Sequence, residues 1–105
     1  MEIKVYWTDF AKKQLQYIFD YHHDKASLKI ALKIVKGIVG SVKILSLDPE
    51  IGQVEGLLIQ RKENFRYLIF TNYKIIYWIN KDKQRVEIVD VFDVRQNPIK
   101  IKRKK

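Results

Sequence analysis

The stretch RYLIFTNYKIIYWINKDKQRVEIVDVFDVRQNP, from Arg66 to Pro98, leaves this chain little freedom: it has to form strands. Arg66–Phe70 and Lys74–Ile79 are runs of β-branched and aromatic residues, and the short Thr71-Asn72-Tyr73 segment between them permits only a tight hairpin. The loop Asn80-Lys81-Asp82-Lys83-Gln84 carries no apolar side chain and returns the chain into a third strand, Val86–Phe92. A meander of this size is close to the least that is stable with one face packed, so the upstream half has to supply the cover.

That half has the pattern of a cover. Glu2–Trp7 alternates as a short strand, with Ile3, Val5 and Trp7 on one side and Lys4 and Tyr6 on the other. Thr8 is placed to cap a helix, and Asp9 puts an acid in its first turn, where the helix dipole favours one. From Phe10 to His23, the residues Ala11, Leu15, Ile18 and His22 fall on one face. Asp24–Ser27 breaks the pattern. A second helix is expected from Leu28 to Leu47 on the stripe Ala31, Ile34, Ile38, Val42 and Leu45. Gly37 and Gly40 inside it either let another element approach closely or kink the helix. Pro49 and Gly52 end it, and Leu57-Leu58-Ile59 is expected to lead into the meander. The expected fold is therefore α+β in two layers, in the order β-α-α-β-β-β: a helical hairpin packed on a mainly antiparallel four-stranded sheet. Residues 1–99 form a single domain on this reading, followed by a basic tail at 100–105.

Composition narrows the function classes. The apolar share of 47% argues against disorder. Without cysteine the chain forms no disulfide and no thiolate metal site. It has no secretory pattern at its N-terminus and no apolar run near the ~20 residues of a membrane span, so a cytoplasmic protein is expected. The net charge is +9, and Lys100, Lys102, Arg103, Lys104 and Lys105 concentrate much of it at the C-terminus, where nucleic acid or an acidic partner could meet it. Sixteen of the 21 basic residues are lysines, which base composition alone could produce. There is no phosphate-binding glycine loop, nucleophile elbow or HExxH. Adjacent His22 and His23 point about 100° apart on a helix and do not chelate one metal readily. No cofactor is expected.

What remains is a set of cations and phenols on or beside the sheet: Arg61, Lys62, Arg66, Tyr67, Tyr73, Lys74, Tyr77 and Arg95. Simple alternation puts Lys74, Ile76 and Trp78 on one face of their strand. In the last strand it puts Val86, Ile88, Asp90 and Phe92 together. Arginine forks suit phosphate or carboxylate. Equally, Arg66 and Arg95 could pair with Asp90, Asp93 or Glu87 at the sheet end, and the tyrosines could be core or rim aromatics.

In their order and spacing these pieces resemble the RelE/ParE superfamily of toxins from bacterial type II toxin–antitoxin modules, most closely its ParE-like members. Val5-Tyr6-Trp7-Thr8 with Ala11 is similar to the opening strand and helix start, and Leu15-Gln16-Tyr17-Ile18 with Tyr21 to its continuation. Leu45, Pro49 and Gly52 resemble the family's L-x-x-x-P-x-x-G turn. Arg66 with Asn72–Tyr77 resembles its R…YRIxY strand pair, and Val89–Pro98 its closing strand with an RQ-x-P end. The resemblance implies a toxin neutralised by a cognate acidic antitoxin, alone or as a homodimer or toxin–antitoxin hetero-oligomer. ParE-like members poison DNA gyrase; RelE-like members cut messenger RNA on the ribosome. A metal-free nuclease needs cations on the developing charge and an acid for the leaving oxygen. Here Arg66, Lys74 and Arg95 are the residues that would serve, with Arg61 and Lys62 as substitutes. The chain departs from the nuclease pattern, however. Phe65, Tyr67 and Ile69 stand where lysines are expected, and no tyrosine or histidine follows Tyr77. The sequence therefore favours the gyrase poison, with Arg61, Lys62, Arg66, Lys74, Arg95, Gln96, Lys100, Lys102 and Arg103 as its target- or nucleic-acid-binding residues. The same fold without activity is a third reading.

Overall fold

A computed structural model of the chain describes residues 2–56 and 62–95. Strand β1 (Lys4–Trp7) leads into helix α1 (Asp9–Lys25), then α2 (Leu28–Ser41) and a 3₁₀ turn (Lys43–Ser46). The strands β2 (Gln53–Val54), β3 (Arg66–Phe70), β4 (Tyr73–Asn80) and β5 (Arg85–Asp93) follow. The sheet order is β1-β5-β4-β3-β2, with β1 parallel to β5 and every other pair antiparallel. The two-layer α+β arrangement is as expected, but the sheet has five strands rather than four. The addition is β2, whose two residues pair with Tyr67 and Arg66. So short a strand has no alternation to detect.

Both helices start where a side chain satisfies their first free N–H groups. Thr8 Oγ1 accepts from the Ala11 N–H and donates to the Ile88 carbonyl at 2.9 Å, fixing α1 to β5. Ser27 Oγ accepts from Ile30 N–H and opens α2 only two residues after α1 ends. The second helix stops earlier than expected. At Ser41 the side chain turns back onto the Ile38 carbonyl, and the chain tightens into the 3₁₀ turn that buries Leu45. Of the two alternatives for Gly37, close approach is correct: a Cβ there would land inside the Phe70 ring of β3.

The core lies between the helices and the sheet. Ala11, Ile38, Val42 and Leu45 pack on Tyr73, Ile75, Tyr77, Val86, Ile88 and Val91, with Leu15, Ile18 and Ile34 against them. A second cluster of Phe65, Ile76 and Phe92, with Tyr67, Trp78 and Val89, lies on the outer face of the sheet. The simple alternation of β5 is thereby corrected. Ile76 faces Asp90 but Tyr77 faces Ile88, so Val89 is an extra residue, a β-bulge. Val86 and Ile88 face the helices, whereas Asp90 and Phe92, beyond the bulge, face outward.

The β3–β4 hairpin turns on Thr71 and Asn72, and Thr71 has φ 52°. A β-branched residue is strained there, whereas glycine is not. Thr71→Gly is expected to stabilise the chain by roughly 1 kcal/mol, measured by urea unfolding.

Candidate functional site

The candidate residues separate into three places. Arg66 faces the helix layer opposite Tyr77, since directly paired residues share a face. Its guanidinium donates to the carbonyls of Gly52 at 2.9 Å and Glu50 at 3.3 Å. The Tyr77 hydroxyl donates to Pro49 O at 2.7 Å and accepts from Gly52 N–H at 2.9 Å. Burial raises the Tyr77 pKa, against the opposing effects of the Gly52 N–H and Arg66, so the hydroxyl keeps its proton and both bonds. A Cβ on Gly52 would stand 2.7 Å from the Tyr67 carbonyl, so the loop lies flat against the sheet. Arg66 and Tyr77 thus hold the proline–glycine loop in place. Neither partner of Arg66 is the carboxylate that the sequence suggested.

Lys74 is on the opposite, outer face. Its ammonium lies 2.9 Å from Glu55 and over the Tyr67 ring, 4.2 Å from the centroid. The Glu55 and Asp90 side chains are both buried. Lys74 is therefore already neutralised by Glu55. Lys62 is exposed. Arg61, Gln96, Lys100, Lys102, Arg103 and the Leu57–Ile59 segment lie outside the described residues.

Arg95 stands at the end of β5, beside a cleft of about 470 Å³ between α1 and the sheet. The Asn72 carbonyl accepts from Val94 N–H at 2.9 Å and ties this end to the β3–β4 turn. Asp93 receives three hydrogen bonds from Arg95: Nε at 3.0 Å, Nη2 at 2.8 Å and the backbone N–H at 2.9 Å. The Arg95 side chain is still 62% exposed. Tyr17 and Tyr21, one helical turn apart on α1, and Gln14 line the cleft with Ile18, Val91 and Tyr73. The His22 ring and the Tyr73 hydroxyl share a hydrogen bond of 2.8 Å, and the half-buried ring stands at the rim of the core. No group of metal-ligating side chains occurs among the described residues.

The sequence singled out Arg95 as a candidate, and the structure places two further side chains beside it that the sequence did not single out. Tyr17 and Tyr21 sit off the apolar stripe of α1, four residues apart, and are 62% and 53% exposed. Aromatics repeated at helical spacing away from the core face were the available signal. A planar cation beside two exposed phenols suits contact with a macromolecule, since tyrosine and arginine dominate such contacts.

The Asp93 carboxyl is held down to about 2, chiefly by the Arg95 side-chain hydrogen bonds, with the Arg95 N–H and Asn72 adding to them against burial. A depressed folded-state pKa means that its stabilising effect is complete above the ordinary aspartate value of about 3.9 and lost as pH falls towards 2. Arg95→Ala is expected to raise the Asp93 titration midpoint toward the ordinary value, followed by carboxyl carbon NMR shifts.

Comparison with known proteins follows the same outline. A family model described as the ParE toxin of type II toxin–antitoxin system, parDE, matches residues 5–98. The chromosomal ParDE TA system from P. aeruginosa is similar with a TM-score of 0.73 and 21% identity, covering 89% of this chain and 97% of that one. The toxin–antitoxin complex RelBE2 from Mycobacterium tuberculosis is similar with a TM-score of 0.55 and 20% identity, over 89% and 99% of the two chains. At these identities the structural likeness concerns the fold. No curated protein sequence matches significantly.

Proposed function

The chain belongs to the family of ParE toxins of type II toxin–antitoxin systems, and on that premise we propose that it arrests growth by binding DNA gyrase and trapping the cleaved enzyme–DNA complex. A cognate acidic antitoxin neutralises it. The observation that carries this reading is the disposition of the three cations on which RNA cleavage would depend. Arg66 is engaged by loop carbonyls on the helix side, Lys74 is paired with Glu55 on the outer side, and Arg95 is held by Asp93 at the strand end. Cleavage of RNA without a metal needs cations converging on one phosphate. These three do not converge. The exposed Arg95–Tyr17–Tyr21 surface has instead the composition of a protein-binding hot spot.

An excess of positive charge on the toxin, +9 over the chain, favours an acidic partner through steering and pairing. Induced expression in a susceptible bacterium tests the reading, with growth, messenger RNA integrity and the DNA-damage response followed together. Growth arrest with intact messenger RNA and a damage response is expected. Rapid loss of translated messenger RNA without a damage response would instead make the chain a ribosome-dependent nuclease.

A further inference from the structure

The outward face of the second helix is unfavourable to the helix that carries it. Ala31, Ile34 and Ile38 turn one side of α2 to the core. At about 100° per residue, Lys29, Lys33 and Lys36 form a row on the opposite side, and all three are exposed. Gly40 continues the row at the next step of four, and a Cβ there would meet nothing within 4 Å, so the row ends on open helix surface. No acid occurs between Leu28 and Ser41. Each lysine's neighbour along the row is therefore another lysine, an arrangement that destabilises a helix. Lys29 also stands in the first turn, where the helix dipole opposes a cation. No ion pair among the described residues engages any of the three. Side chains that work against their own helix, with no compensating contact, point to something outside the chain.

Chemistry selects the partner. A second copy of this chain would set lysine against lysine, which is disfavoured. The row holds no arginine, aromatic or apolar side chain to anchor a protein, and lysine is depleted from the cores of protein interfaces. A membrane surface needs apolar side chains at the outermost point of the helix, where this row places ammonium groups. The phosphates of a duplex require neither an anchor nor an apolar face. Duplex DNA presents one negative charge per roughly 1.7 Å of its axis. A row about 10 Å long therefore meets several phosphates in any register. We propose that Lys29, Lys33 and Lys36 form a sequence-independent contact with the phosphate backbone of duplex DNA. The inference rests on the reading of the chain as a gyrase poison: the duplex is the one that gyrase holds, and the row adds a DNA contact to the protein contact made at the Arg95 cleft.

A short labelled DNA duplex of mixed sequence is the probe, titrated with the whole chain over a range of salt concentrations and read by fluorescence anisotropy. The row variant is Lys29→Gln/Lys33→Gln/Lys36→Gln. Its charge-matched control is Lys4→Gln/Lys81→Gln/Lys83→Gln, at exposed lysines of β1 and the β4–β5 loop. Each phosphate contact contributes about 0.9 to the slope of log affinity against log salt, so the row variant is expected to flatten that slope by roughly 2–3. Its affinity at low salt should fall by about tenfold or more, while the control flattens the slope by less than about 1. The row variant should melt no lower than wild type, because it relieves repulsion between like charges. Several results would overturn the proposal: no duplex binding, equal losses in the two variants, or a row variant that melts well below wild type. So would tighter binding of duplex RNA or of anionic vesicles than of the DNA. Trapping of gyrase cleavage by the wild-type chain is read separately. Row-dependent duplex binding without trapped cleavage rejects the gyrase reading and leaves the DNA contact standing. Trapped cleavage with row and control variants equal on the duplex rejects the DNA contact alone.

Discussion

Tyr77→Phe is expected to cost about 2–4 kcal/mol, although it removes a single oxygen atom. Tyr77 is completely buried, and its hydroxyl bonds both Pro49 O and Gly52 N–H. Phenylalanine keeps the ring and its packing but leaves a donor and an acceptor of the loop without that partner, at about 1–3 kcal/mol each when water cannot replace it. Arg66 holds the Gly52 carbonyl from the same side, so the loop should loosen rather than detach. Urea unfolding measures the loss. Tyr73→Phe is the contrast: its hydroxyl makes a single side-chain hydrogen bond, to the half-buried His22, and ties down no loop backbone, so its loss is expected to cost less. A Tyr77→Phe cost no greater than that of Tyr73→Phe would show that the loop is held by packing alone.

The second large effect should appear in function without appearing in stability. Tyr21→Ala/Arg95→Ala is expected to weaken gyrase inhibition by about 10- to 100-fold, on the scale of two interface hot spots. Both side chains are more than half exposed, and their removal should leave folding stability nearly unchanged. Lys81→Ala, in the loop at the opposite end of β5, should leave inhibition unchanged. Inhibition of plasmid supercoiling by the purified proteins provides the comparison. Equal potency in the double variant would move the target surface elsewhere. Together with Tyr77→Phe, this separates residues that hold the fold from residues that meet a target.

Much of the fold was legible because it rests on local chemistry. Thr8 announces a cap, and the residues that follow it keep helical spacing. The two strand pairs of the meander carry their own turns. The features that escaped depend on geometry with no local period. Strand β2 is only two residues, and its pairing with Tyr67 and Arg66 is visible only once the sheet exists. The Val89 bulge reverses the faces of Asp90 and Phe92, and nothing in the composition of β5 marks it. Arg66 is a cation whose partners are carbonyls, and carbonyls have no letter in a sequence. For the candidate site, the RQ-x-P context drew Arg95 out as a candidate. Tyr17 and Tyr21 were not drawn out, because the cleft forms only when α1 packs beside the end of β5.

Gyrase is the proposed target, and one reaction addresses it most directly. Purified chain is mixed with gyrase, ATP and supercoiled plasmid, and cleaved DNA is counted after denaturation and protease treatment. The expected result is accumulation of linear plasmid covalently linked to the enzyme, abolished or strongly reduced by Tyr21→Ala/Arg95→Ala. Unchanged supercoiling with no trapped cleavage, alongside messenger RNA cut only when ribosomes are added, would contradict it.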